Sequence, residues 1–393
     1  LDYAWNPDAI GPTDIQSYTN RWAAQQFGKT HAAEIGGILA SYAKYNGRRK
    51  PELLNENTYS LENYEEAKRV TDDYLALNKQ AARIASQLDP VYQDAFFELV
   101  HHPVEACSNL QALYYHTALN HAFARQHNLL ANAEADTVKL LYEQDSLISV
   151  AYNTLANGKW NHMMDQTHIG YTYWQQPPRQ RIPLLQTVTD TTGMAASSIT
   201  VKAKDRSAIG LIPPGSHLPV FYEKNGYVSI EASHPSHIKQ TSALHWQVIP
   251  DLGKTGDAIT VFPVTVPDQD AGSKNPQVDY DFYVYDTGYA ALSMYCAPTL
   301  NFRGDTGLRF AVSIDGEPLQ EINLNKDDNN TRVWESWVAN DIIIKTTQHR
   351  LLKPGKHILH LWMISPAVVF EKLVLNLGGV RSSYLGPPET MAR

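Results

Sequence analysis

Along the first 157 residues apolar side chains return every three or four positions, the period of a helix with one buried face. The stripe is strictest in Ala67, Val70, Tyr74, Leu77, Ala81, Ile84 and Leu88, a narrow seam that suits antiparallel helix packing at roughly +20°. Ser60 is placed to cap this helix. Asp89-Pro90 ends it and opens the next, because proline suits a first helical turn. Upstream, Thr13-Asp14 can cap a helix with Ile15, Tyr18 and Trp22 on one face, which Gly28 ends. A second buries Ile35, Ile38, Leu39 and Tyr42 and stops at Asn46-Gly47. A long helix is expected from about Val91 to His127, kinked where the ring of Pro103 removes an internal hydrogen bond, with His101-His102 packing at the kink. The last, about Ala133 to Asn157, turns Val138, Leu141, Tyr142, Ile148, Tyr152 and Leu155 inward, and Gly158 supplies its left-handed cap.

Past Pro178 the runs shorten and turn signals multiply. Asn225-Gly226 between Val220–Glu223 and Tyr227–Glu231 predicts a hairpin, as does Asp315-Gly316 between Phe310–Ile314 and Leu319–Leu324. Lys353-Pro354-Gly355-Lys356 separates Leu351-Leu352 from a run at His357–Ile364. Tyr280, Phe282 and Val284 alternate with Asp281 and Tyr283, as in a half-buried strand. The predicted fold class is therefore multidomain, α then β: an antiparallel helical bundle over 13–157, then an antiparallel, jelly-roll-like β-sandwich over 185–393. Residues 185–218 are less regular and are expected to form a linking strand layer.

Between the two patterns lies GKWNHMMDQTHIGYTYWQQPP, Gly158 to Pro178, which has neither period. It crowds Trp160, His162, Met163, Met164, His168, Tyr171, Tyr173 and Trp174 into irregular backbone, so tertiary contacts or a ligand must pin it. This Gly158–Pro178 segment, within a junction taken as 158–184, is expected to be ordered and largely buried at the boundary between bundle and sandwich.

Composition changes this picture little. The 393 residues carry a net charge of −8, and their basic side chains are scattered except at Arg48-Arg49-Lys50. That gives no footprint for nucleic acid or an anionic membrane surface. No apolar run approaches the ~18 residues needed to span a bilayer. The two cysteines, Cys107 and Cys296, read as free buried thiols rather than a disulfide framework. The sequence opens at Leu1 with LDYAWNPDAIGP, which reads like the tail of a preceding element, so residues 1–12 are expected to be the remnant of an upstream domain.

Candidate chemistry is sparse. No nucleophile elbow, phosphate loop, CxxC or HExxH motif is present, and no pair of carboxylates announces a glycosidase site. His162, Asp165 and His168 stand at successive steps of three. Zinc ligation is one reading, and buried histidines bonded to backbone or to Asp165 the favoured one. Arg48 and Arg49, stiffened by Pro51, are placed to read a carboxylate of another domain or of an acidic sugar, against the plain alternative of a solvated loop. Trp334 and Trp337 would stack on a sugar ring if exposed, although core packing in a strand or loop is the expectation for at least one.

Several long motifs resemble the C-terminal half of the glycoside hydrolase family 115 α-glucuronidases. They are YNGRRKPELL (Tyr45 to Leu54), TYSLENYEEAKRV (Thr58 to Val70), DAFFELV (Asp94 to Val100), the Gly158–Pro178 segment, GYVSIEA (Gly226 to Ala232), PTLNFRGDTGLRFAVSIDG (Pro298 to Gly316), and VFEKLVLNLGG with YLGPP beyond it. The resemblance implies removal, with inversion, of glucuronic acid or its 4-O-methyl ether from xylan. It implies a catalytic TIM barrel upstream, glucuronoxylan or its oligosaccharides as substrate, a homodimer, and a periplasmic or secreted location; no cofactor or metal is expected. Because the family's catalytic carboxylates lie on the barrel, none can be carried onto a residue here. Contact with substrate or barrel is left to Arg48, Arg49, His162, Asp165, His168, Tyr171 and Trp174. The alternative reading is a non-catalytic carbohydrate-binding or scaffold protein that lacks the barrel.

Overall fold

The computed structural model describes residues 2–6, 9–11, 14–171, 176–189, 220–272 and 276–391. They divide into two compact units, Leu1–Val201 and Lys202–Arg393. The first is helical: α1 (Asp2–Trp5), α2 (Ile15–Phe27), α3 (Ala32–Arg48), a 3-10 turn (Pro51–Leu53), α4 (Glu66–Ala85), α5 (Pro90–Phe96), a π turn (Phe97–His101), α6 (His102–Arg125) and α7 (Leu130–Gly158). Helix α6 packs against both α4 and α7, and α2 against α3. All seven apolar positions of the 67–88 stripe are buried. Leu77, Ala81, Ile84 and Leu88 of it share a core with Phe27, Ile35, Ile38 and Phe96, with Phe27 edge-on to Trp22 and Phe96 at 5.6 Å each.

Several boundaries differ from those read in the sequence. Helix α4 starts at Glu66, not behind Ser60, because Tyr64 and Glu65 take positive φ (59° and 51°) that no right-handed helix can contain. Ser60 instead closes the preceding turn: its N–H donates to the buried Glu66 carboxylate at 2.8 Å, and its hydroxyl accepts from Asn63 N at 3.0 Å. Asp14 accepts from Gly11 N rather than capping α2, and Ile15 is exposed. Helix α3 continues through Asn46-Gly47 because Tyr74 OH donates to Asn46 Oδ1 (2.8 Å) and Arg48 pairs with Asp73 (2.8 Å), tying its last turn to α4. The long 91–127 helix divides. Instead of a simple kink at Pro103, His102 N bonds back five residues to Phe97 O, and the π turn leaves Pro103 in the first turn of α6, where its missing N–H breaks no bond. In α7 helical dihedrals stop before Leu155 (ψ 142°), and Ala156 and Asn157 turn left-handed ahead of Gly158.

The second unit holds β1 (Val220–Tyr222), β2 (Tyr227–Glu231), β3 (His237–Lys239), β4 (His245–Ile249), β5 (Ala258–Phe262), β6 (Gln277–Val284), β7 (Gly288–Cys296), β8 (Arg309–Ile314), β9 (Gln320–Asn323), α8 (Thr331–Asn340), β10 (Ile343–Leu351), β11 (Gly355–Met363) and β12 (Phe370–Asn376). One sheet runs β1-β6-β11-β8-β9 with β3 also on β6, and the other β10-β7-β12-β5-β4 with β2 also on β12. Pairing is antiparallel except between β1 and β6. The alternation of β6, β7, β8, β10, β11 and β12 between sheets is jelly-roll-like, and Tyr280, Phe282, Phe310 and Leu361 of one sheet share a core with Leu292, Met294, Phe370 and Leu373 of the other.

The Asp315-Gly316 hairpin is formed by β8 and β9. The other two turns carry the chain between sheets. Asn225 (φ 52°) and Gly226 (φ 79°) adopt the left-handed turn, but β1 joins β6 while β2 joins β12. The 352–354 link likewise takes β10 of one sheet to β11 of the other. Strand β6 is buried on both faces, not one: Val278, Tyr280, Phe282 and Val284 join the core, and the acids that alternate with them are buried as well. Its Asp279 and Asp281 are met by His360 (2.6 Å) and Lys356 (2.6 Å). Trp334 and Trp337 lie on a helix, α8, opened by Asn330, whose side chain accepts from Arg332 N and Val333 N. Trp337 packs on the core and Trp334 faces solvent. Residues 387–391 lie across β1 and β2: Tyr222 N donates to Thr390 O (3.0 Å), Thr390 N to Ser229 O (2.9 Å), and Ser229 Oγ to Pro387 O (2.9 Å). Cys296 is buried and Cys107 half-buried beside Tyr42. The 185–218 strand layer lies almost wholly outside the described residues.

Candidate functional site

The inward stripe of α7 carries one acid, Asp145, in step with Val138, Ile148 and Tyr152. It is almost completely buried, and two side chains of the following irregular segment close on it. His168 Nε2 lies 2.6 Å from Asp145 Oδ1, and Gln180 Nε2 donates to Oδ2 at 2.9 Å. The Gln180 carbonyl in turn accepts from the N–H groups of His168 (2.9 Å) and Ile169 (2.6 Å). Ile169 is fully buried, and Gly170 N reaches Tyr114 OH of α6 at 3.4 Å. Residues 167–171 and Gln180 are thereby strapped to α6 and α7 by one buried carboxylate and one apolar anchor.

Both ring nitrogens of His168 face acceptors, Asp145 Oδ1 and Gln166 O (2.9 Å), which is the pattern of an imidazolium donating twice. Burial opposes that charge, but the Asp145 carboxylate and the Gln166 carbonyl outweigh it, and the His168 pKa is raised. His102, at the start of α6, goes the other way. Burial, and then the charge of His168 and the neighbouring His101, push it down to about 4, and its ring packs 4.6 Å from that of Tyr152.

The structure does not bring His162, Asp165 and His168 together. His162 Nδ1 and Asp165 Oδ2 pair at 2.5 Å in solvent, with Asp165 held by Asn153 Nδ2 (2.9 Å), while His168 turns inward to Asp145. Among the described residues no group of three or more His, Cys, Asp or Glu is placed to hold a metal. The 159–166 stretch is mostly exposed rather than buried, since its polar side chains satisfy one another locally. Tyr171 is half-buried, its hydroxyl donating to Thr167 O at 3.1 Å, and Trp174 lies outside the described residues. Arg48 is buried at the end of α3, paired with Asp73 and lying over the Tyr45 ring at 4.4 Å. Arg49 leaves the helix extended and donates to Leu53 O at 3.1 Å. Asp145 and Gln180 were missed in the sequence; the usable signal was a charge on an otherwise apolar stripe.

Two family models match. The glycosyl hydrolase family 115 C-terminal domain covers residues 220–389, and glycosyl hydrolase family 115 covers residues 1–53. The chain belongs to glycosyl hydrolase family 115. No curated protein matches it. A solved family 115 structure, the 4-O-methyl-α-glucuronidase BtGH115A with specificity for decorated arabinogalactans, superposes with a TM-score of 0.66 at 19% identity over 95% of this chain. This family 115 chain spans 43% of that protein's length, and at this identity the likeness is one of fold. The C-terminal family 6 carbohydrate-binding module of LamC from Zobellia galactanivorans overlaps at a TM-score of 0.26, with 14% identity over 38% of this chain and 98% of that one. A family 35 module from Clostridium thermocellum does so at 0.26, with 13% identity over 38% and 97%, and both overlaps are too slight to bear on function. Among the described residues no helix of this family 115 chain is long and apolar enough to cross a membrane.

Proposed function

We propose that this chain forms the portion of an α-glucuronidase that follows its catalytic barrel, in an enzyme that removes glucuronic acid or its 4-O-methyl ether from a decorated polysaccharide such as glucuronoxylan, with inversion. The family assignment at both ends of the chain, in order, carries this reading. Residues 1–12 are then the barrel's edge, and 158–184 the junction between bundle and sandwich. Both domains brace the barrel and provide the surfaces for dimerisation. The Arg48–Asp73 pair fits such a bracing role, since it fixes α3 to α4 rather than leaving a guanidinium to meet substrate. A polymeric substrate places the enzyme in the periplasm or outside the cell.

Hydrolysis needs an acid and a base on either side of the scissile bond, roughly 6.5–9.5 Å apart in an inverting enzyme. The reading assigns both to the barrel. Purified 393-residue chain is therefore expected to release no glucuronic acid from glucuronoxylan or aldouronic acids, while a form carrying a barrel does. Release by the 393-residue chain at a rate near that of the barrel-bearing form would overturn it.

A further inference from the structure

The helical unit contains a cleft of about 250 Å³ between the 56–62 loop and the last two turns of α6. One helix face forms its floor, with Ala118 and Ala122 leaving the space that larger side chains would fill. Tyr59, itself buried, closes the loop side. The polar groups around it are of both kinds: the carboxylates of Glu56 and Glu62 on the loop, the guanidinium of Arg125 on the helix. Opposite charges share one small cavity, yet among the described residues neither Arg125 nor Glu62 makes an ion pair. His121, which also lines the cleft, donates from Nε2 to Leu184 O at 2.7 Å.

A cavity smaller than the roughly 300–1,000 Å³ of drug-sized sites suits a single ring. Mixed donors and acceptors on its walls call for a ligand that both gives and takes hydrogen bonds around its rim. Vicinal hydroxyls donate to carboxylates and accept from a guanidinium, and the apolar face of a pyranose suits the alanine floor and the tyrosine wall. Two carboxylates against one arginine disfavour an anionic sugar. We propose that this cleft binds a neutral pyranose unit. The choice of sugar rests on the α-glucuronidase reading, in which neutral backbone units of the decorated polysaccharide accompany the uronate.

The test is calorimetric titration of the 393-residue chain with xylotriose and with β-1,3-galactotriose, and with free glucuronate as the charged control. Saturable binding of one neutral trisaccharide, tighter than glucuronate, is expected. Glu62→Gln and Arg125→Ala, both at exposed positions, should each weaken it at least fivefold with the melting temperature unchanged. Failure of both trisaccharides to bind at 20 mM, glucuronate binding more tightly than either, or variants that bind like the native chain would each overturn the site. Because the readout is binding and not hydrolysis, the site can fail while the glucuronidase reading stands, and the reverse.

Discussion

Two histidines of the helical unit are held in opposite protonation states. His168 is favoured as a cation by Asp145, and His102 is kept neutral by burial and by that cation. For His168 the folded pKa exceeds the unfolded one, so its contribution is fully present below about pH 6.5 and is lost as pH rises through the raised value. His102 works in the other direction, subtracting stability as pH falls from 6.5 toward about 4. Asp145→Asn keeps an acceptor but removes the charge. Its cost should be about 1.5 kcal/mol at pH 6, the low end for a charged hydrogen bond because a third of the His168 side chain meets water. Denaturant midpoints should show the gap to the native chain closing toward pH 9; a gap that does not change with pH would refute a charged His168. In the sandwich, burial of Glu371 on β12 pushes its pKa up to about 7 against the pull of Lys254, whose N–H donates to it at 3.0 Å. A folded acid that holds its proton more tightly than the unfolded one loses stability as pH rises from about 4.5 through 7. Glu371→Gln should therefore melt with the native chain at pH 4.5 and above it at pH 8, and equal melting at both values would show the carboxylate costs nothing.

At the scale of elements, what the sequence made legible was local and what it hid was partnership. The α4 stripe could be read residue by residue because a helix fixes which positions share a face. The left-handed turn at Asn225-Gly226 was equally plain, since few other residues adopt it. That β1 and β2 part there into opposite sheets was not, because β6 and β12, the strands that claim them, lie about 60 and 145 positions away. The strap on Asp145 was hidden for the same reason: His168 and Gln180 are 23 and 35 positions from it, in backbone with no period. The turn also has a close neighbour. Gly226 O accepts from Leu377 N (2.9 Å) and Gly379 N (3.1 Å), and a Cβ on Gly379 would sit 1.7 Å from Asn225 O. Since backbone rather than a flexible side chain blocks it, Gly379→Ala should lower the denaturation midpoint by about 2–3 kcal/mol of stability. An unchanged midpoint would mean the two segments can separate at no cost.

Among the described residues each unit has its own main apolar core, one around Phe27, Ile35 and Phe96 and the other around Tyr280, Phe310 and Phe370. Two cores predict two transitions in scanning calorimetry rather than one. Phe96→Ala should lower the helical transition and Phe370→Ala the sandwich transition, each by about 3–5 kcal/mol, with the other left in place. One endotherm that moves as a whole with either variant would contradict this.

The seam at residues 387–391 has a consequence for biosynthesis. Ser229 is translated 158 positions before Pro387, the residue whose carbonyl its hydroxyl needs. At the roughly 5–20 residues per second of translation, β1 and β2 wait about 8–30 s beyond the ribosome for the segment that covers them. During that interval the helical unit can already have closed on its own core, while the sandwich holds open strand edges. A chain stalled a few residues short of Pro387 would already carry all twelve described strands and yet be unsealed, which makes the arrival of residues 387–391 a moment at which a nascent molecule escapes aggregation and proteolysis.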